Sequence, residues 1–202
     1  MRLRSLATVT FLALAGCELL PFTPTSSASL AGDVIVTGPA GYCVDPSASS
    51  PANGFAVLAP CVTLGGDQPA PEIVGVVTVQ VGPEGTAAVT GDEIALRDFL
   101  LTPAGKRLLS ASGDHSGLRI LTTQAFNDQV MVHFTDNSPS VIAGLQAEEW
   151  RGFVDVNGRL VTVAVRGLEI APLGDGPGAG LLKLVMAGIG SEVPPVLPIT
   201  GL

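Results

Sequence analysis

The sequence predicts an α+β fold, with a mostly antiparallel sheet and a mid-chain helix pair and a C-terminal helix packed on it. Three observations carry that expectation. Two β-rich runs, Trp150–Val156 and Arg159–Arg166, flank Asn157-Gly158, and Asn-Gly suits a type I′ hairpin turn because both central positions need positive φ. Between residues 90 and 113 the period-2 pattern gives way to helix-start residues and apolar pairs four apart. Near the C-terminus Leu181, Val185 and Ile189 fall on one helical stripe, with Leu182 and Met186 beside it.

In chain order, residues 1–16 carry the parts of an export signal: Arg2 and Arg4, an apolar run from Leu6 to Ala15, and small residues at its end. The run falls short of the ~20 apolar residues a bilayer span requires. Leu14-Ala15-Gly16-Cys17 resembles a bacterial lipobox. That resemblance implies a signal peptide over 1–16, removed after the Cys17 thiol is acylated, and a new N-terminus at Cys17 carrying palmitate-type chains. Two or more such chains hold a protein firmly at a membrane, whereas one binds only marginally. By similarity to lipoproteins of two-membrane bacteria, Glu18 in place of Asp after the cysteine favours the outer membrane. The alternatives are a plain secretory signal that ends at a cysteine, or a buried N-terminal helix.

Composition narrows the function. Loss of residues 1–16 leaves eight basic against eighteen acidic residues, a formal charge of about −10. Phosphate binding needs a basic surface, so no nucleic-acid partner is expected. Only 4% of residues are aromatic, which argues against stacking platforms for sugars or bases. A charged fraction of 14% beside 47% apolar residues, 25 Gly and 16 Pro describes a loop-rich globular domain. The roughly 170 residues after the tether suit one domain.

Residues 17–32 read as the lipidated cysteine and a flexible tether, with Pro, Ser and Thr and no apolar period. A coil of ~14 residues would hold the domain about 20 Å from the membrane. The domain itself spans 33–190. Asp33–Thr37 reads as a strand, and a turn at Gly41 leads to Tyr42-Cys43-Val44. Ser47–Asn53 is a loop, and Phe55–Cys61 returns as a second strand. Cys43 and Cys61 remain as an even pair once Cys17 carries lipid, and in an oxidising compartment they read as a disulfide. The alternative is two reduced, buried thiols. Two sulfurs with no neighbouring His or third Cys do not make a zinc site, so no metal is expected there. Residues 64–72 form a loop, and Val74–Val81 is the densest β-branched run and the expected central strand.

Thr90-Gly91-Asp92-Glu93 fits the capping box of a helix running to about Leu101. Thr102-Pro103 fits an N-cap followed by Pro at the first position of a second helix, 103–111. Lys106 and Arg107 read as its solvated face. Asp114-His115-Ser116-Gly117 lacks the Gly-x-Ser-x-Gly spacing of a nucleophile elbow and reads as a turn. Leu118–Ala125 and Gln129–Asp136 are two strands around Asn127-Asp128. In the second, Val130, Val132 and Phe134 alternate with Met131, His133 and Thr135, which puts His133 on the less apolar face as a surface or lightly bonded residue.

The two-residue hairpin loop sets Val156 opposite Arg159, Val154 opposite Val161, Gly152 opposite Val163 and Trp150 opposite Val165. One face of that hairpin is a core surface and the other is mixed. Asp155-Val156-Asn157-Gly158 lacks the alternating acids and closing Glu of a calcium loop. Asp175-Gly176-Pro177 starts a helix, 178–189, whose single lysine, Lys183, is too little basic charge for a membrane-surface helix. Residues 191–202 are a proline-rich tail.

Two resemblances complete the reading. Residues 36–45 (Val-Thr-Gly-Pro-Ala-Gly-Tyr-Cys-Val-Asp), Ala59-Pro60-Cys61 and residues 150–162 are similar to a group of short alphaproteobacterial lipoproteins, which implies a lipid-anchored chain and no particular activity. The order of elements is loosely similar to the PsbP/Mog1-like α/β/α sandwich, a likeness that transfers no residues. The expected function is therefore a membrane-anchored envelope lipoprotein at the periplasmic face, non-catalytic, with a binding or assembly role toward an envelope protein. Neither catalytic residues nor a cofactor or metal are expected. The alternative is a carrier of a small or lipidic ligand, which needs an apolar pocket of several hundred Å³. A third reading, an envelope hydrolase, needs His115 or His133 beside Ser, Asp or Glu in a cleft.

Overall fold

A computed structural model describes residues 23–138 and 142–191. Its strands are β1 (Ser27–Leu30), β2 (Val34–Thr37), β3 (Tyr42–Val44), β4 (Phe55–Pro60), β5 (Val76–Val81), β6 (Leu118–Ala125), β7 (Gln129–Asp136), β8 (Glu148–Val156), β9 (Arg159–Arg166) and β10 (Ile189–Ser191). Three α-helices, α1 (Glu93–Leu101), α2 (Pro103–Leu109) and α3 (Asp175–Ala187), and two short 3₁₀ turns, Pro51–Asn53 and Cys61–Leu64, complete the described elements. The main sheet has seven strands in the order β3-β4-β5-β9-β8-β7-β6, every neighbouring pair antiparallel. A small sheet, β1-β2-β10, lies beside it. The expected α+β class, with its helix pair and C-terminal helix on a mostly antiparallel sheet, is the class observed.

Strand alternation divides the interior in two. Trp150, Val161, Val163 and Val165 point to the side covered by α3 and the small sheet, where they meet Leu181, Leu182, Val185 and Leu30. Val130, Val132, Phe134 and Phe153 point the other way, to Val89, Leu100 and Leu109 under α1 and α2. Both faces of the sheet therefore carry buried core residues, while Thr122 and Gln124 on the edge strand β6 stay exposed.

The hairpin has the expected register, from Val156 opposite Arg159 to Trp150 opposite Val165, and its turn has φ of 51° at Asn157 and 75° at Gly158. Thr102 caps α2 as expected, accepting from the Gly105 N–H at 3.1 Å, with Pro103 first in the helix. The cap of α1 is Asp92, which accepts from the Ala95 N–H at 3.0 Å, and not Thr90. Thr90 is already committed elsewhere, its N–H donating to Asp155.

Several boundaries are corrected. Ser27–Leu30, assigned to the tether 17–32, forms β1 against Thr37–Val34, and Leu30 is fully buried. Its tether-like serines conceal the alternation Ala28, Leu30, which suffices for a strand once a partner lies across a tight turn. Cys61 opens a short 3₁₀ turn and is not the end of β4. β5 begins at Val76, α2 ends at Leu109, and α3 runs from Asp175 only to Ala187, because Ile189 and Ser191 pair with β2. The signal segment, Cys17 and residues 192–202 lie outside the described residues. Among those described, no helix is long and apolar enough to cross a membrane.

Candidate functional site

The site grows from β7. Met131 and His133 face α3, while their neighbours Val130, Val132 and Phe134 face the helix pair. In the ladder His133 stands opposite Trp150 of β8, and across the edge a bulge between Ile120 and Thr122 brings Thr122 opposite it. The imidazole and indole stack, with centroids 4.5 Å apart and planes 13° from parallel. Of the two expectations, a surface or a lightly bonded histidine, the first is corrected and the second holds: His133 is 7% exposed, because Trp150 stacks on its ring and Asp175, Ala179 and Leu182 of α3 line the same cleft.

Two carboxylates converge on that ring. Glu148 opens β8 and places Oε1 3.8 Å from His133 Nε2, beyond hydrogen-bond reach. Asp175 opens α3, in the first turn where the helix dipole favours an anion. One ligand atom from each of His133, Glu148 and Asp175 lies within 4.8 Å of the others. His133 Nε2 is buried and has no hydrogen-bond partner. A buried polar atom left so costs on the order of 1–3 kcal/mol. A cleft of about 160 Å³ opens here, walled by Thr122, Gln124, Trp150, Ala179 and Leu182. The arrangement supplies a fixed imidazole and two movable carboxylates at an accessible opening, a set suited to holding a cation.

On the opposite face Glu149, 4% exposed, accepts from Arg151 Nε at 2.6 Å and lies 2.9 Å from Arg166 Nε. Arg151 also reaches the Leu108 carbonyl at 3.3 Å and lies over the Phe134 ring at 5.3 Å. This buried ion group ties α2 to the sheet.

The residues singled out in the sequence fall as follows. Cys43 and Cys61 form a disulfide with Cα atoms 4.8 Å apart, closing the β3–β4 loop. His115 and Ser116 sit in an exposed turn, where Ser116 Oγ donates to Asp114 Oδ2 at 2.6 Å and His115 Nδ1 lies 3.8 Å from Asp114 Oδ1. Those Ser116 hydrogen bonds, side chain first and backbone second, hold the Asp114 carboxyl below its ordinary range. Glu148 and Asp175 had no sequence signal as partners of His133. One begins a strand and the other a helix, and only the adjacency of β7 with β8 and the lie of α3 across β8 unite them.

No protein-family model and no curated protein matches the chain. Among solved structures, a Mog1 mutant is similar over 81% of this chain and 93% of its own, at 10% identity and a TM-score of 0.49. The cyanobacterial PsbP of Synechocystis is similar over 87% of this chain and 97% of its own, at 12% identity and a TM-score of 0.41. These neighbours share the coarse element order and transfer no residue or activity.

Proposed function

We propose that this chain is a bacterial envelope lipoprotein, held by acyl chains on Cys17 and facing the periplasm at the outer membrane, whose domain has a non-catalytic binding or assembly role. The observation that carries this reading is Leu14-Ala15-Gly16-Cys17 at the end of the apolar run from Leu6. The Cys43–Cys61 bridge supports it, since disulfides persist in oxidising compartments. A protein partner is supported by the helix pair, which leaves Ile94, Phe99, Leu101 and Leu108 exposed. His115 lies in an exposed turn beside Asp114 and Ser116, and His133 faces the carboxylates of Glu148 and Asp175.

Mass spectrometry of the native protein, with and without reductant, tests the anchor. Loss of residues 1–16 and an acyl increment on Cys17 are expected, and Cys17→Ala should move the protein out of the membrane fraction. A free Cys17 amine without lipid overturns the reading. Crosslinking in intact envelopes tests the binding role, and the absence of any reproducible crosslinked partner would count against it.

A further inference from the structure

We propose that His133, Glu148 and Asp175 form a binding site for a divalent transition-metal ion of the zinc class. This goes beyond the anchoring role and does not depend on it, because all three ligands lie in the folded domain and none is a cysteine.

The imidazole nitrogen carries the argument. His133 is more than nine-tenths buried, its Nε2 makes no hydrogen bond, and that atom lies 3.8 Å from Glu148 Oε1, with Asp175 completing a group whose ligand atoms stand within 4.8 Å of one another. A polar atom buried without a partner is a standing cost, and a metal ion removes it by accepting the lone pair. Stacking on Trp150 holds the ring in one orientation, the service that outer contacts render to metal-bound histidines. Glu148 and Asp175 bring two negative charges, which balance a divalent ion.

Geometry and donor type identify the ion. Ligand atoms around tetrahedral zinc stand about 3.3 Å apart, given bonds of about 2.0–2.1 Å. The 3.8 Å from His133 Nε2 to Glu148 Oε1 is close to that, and the widest separation of 4.8 Å closes by rotation of carboxylates that are partly or fully exposed. The rigid ligand is thus buried, and the adjustable ones are half-exposed and exposed. An imidazole donor selects transition metals over magnesium and calcium, which take oxygen. Three protein ligands leave a position for water, and the cleft of about 160 Å³ has room for it.

The test uses the full, untagged chain in detergent, stripped with chelator and titrated with Co²⁺ and then Zn²⁺. Trp150 is the only tryptophan, so Co²⁺ bound beside its stacked partner should quench the emission of the whole protein, and Zn²⁺ should displace it and restore the signal. Saturation at one equivalent in the micromolar range is expected. Glu148→Gln and Asp175→Asn, both at exposed or half-exposed positions that leave the core intact, should each weaken binding at least tenfold, and Cys17→Ala should not change it. His133→Gln should abolish it, with circular dichroism confirming the fold. Saturation only in the millimolar range, or micromolar binding that Glu148→Gln and Asp175→Asn leave unaltered, overturns the proposal.

Discussion

Asp155 accepts the backbone N–H of Val89 through Oδ2 at 2.7 Å, although 66 residues separate the two. The same carboxylate takes the N–H groups of Ala88 at 3.0 Å and Thr90 at 2.8 Å. Three consecutive donors of the segment entering α1 are thereby satisfied by one side chain of β8, and Val89 is set down, fully buried, in the core beneath the helix pair. Hydrogen bonds to a charged group contribute about 1.5–3 kcal/mol each, and they share one acceptor group here. Asp155→Asn, which keeps the shape but loses the charge and one acceptor oxygen, should lower stability by about 1–3 kcal/mol. Thermal unfolding reads this as a fall of about 2–4 °C per kcal/mol. An unchanged midpoint would mean the three bonds do not hold the segment.

The Cys43–Cys61 bridge closes a loop of 18 residues. Loop-closure entropy then gives a stabilisation of about 3 kcal/mol relative to the reduced unfolded chain. Both cysteines are at most 1% exposed, so removing them also disturbs packing between β3 and the turn after β4. The double variant Cys43→Ala, Cys61→Ala should lose about 2–5 kcal/mol in urea unfolding. Reductant added to the folded protein should act slowly, since the sulfurs become accessible only on opening. Rapid thiol release without loss of structure would refute the burial argument.

The hairpin was legible because a two-residue Asn-Gly loop leaves one register, and every later pairing of β8 with β9 follows from it. The cysteine pair was legible by counting. His133 was not, for a reason that alternation cannot supply. The pattern of β7 shows two unlike faces, but whether the second is bathed by water or covered by a helix depends on where residues 175–187 return. The same return brings Asp175 to the site, so the two misses are one. Asp155 was hidden differently: its partners are backbone groups, which carry no sequence signature at all. Ser27–Leu30 resembled a linker by composition, and its strand character lies in the neighbour it finds, Val34–Thr37.

Asp136 joins the end of β7 to the end of α2. Burial alone would raise its pKa, but bonds from the Ser138 side chain and backbone, then from the Ala111 N–H and Ser110, outweigh it and hold the carboxyl below the usual range. The Ala111 bond is 2.9 Å long. The folded pKa lies below the unfolded one, so the carboxylate contributes stability that is present above pH ~4 and lost as pH falls through the folded value. Urea midpoints of the native protein should therefore decline from pH 5 downward, and Asp136→Asn should be weaker at pH 7 and decline less steeply in acid. Asp45 and Asp114 also have lowered pKa values, so the slope should shrink without vanishing. Parallel profiles for the two proteins would remove Asp136 from the account.

Two glycines in α3 should respond oppositely to the same substitution. A Cβ on Gly178 would stand 2.4 Å from Trp150 Cδ2 and Cε2, atoms of a rigid ring that is itself held against His133. A Cβ on Gly180 would find only Ile73 Cδ1, at an ordinary 3.8 Å. Alanine is favoured over glycine within a helix by about 0.8–1.0 kcal/mol, and both substitutions receive that gain. At Gly180 nothing opposes it, so Gly180→Ala should raise the unfolding free energy by about 0.5–1 kcal/mol. At Gly178 either the helix must lift from the sheet or the indole must move, and forcing extra volume into a packed core costs about 1–3 kcal/mol. Gly178→Ala should therefore be net destabilising by about 1–2 kcal/mol. Because the displaced ring is Trp150, its near-ultraviolet circular dichroism and emission should change in Gly178→Ala and stay constant in Gly180→Ala. Equal stability of the two variants would show that α3 does not rest on Trp150 as closely as the structure has it.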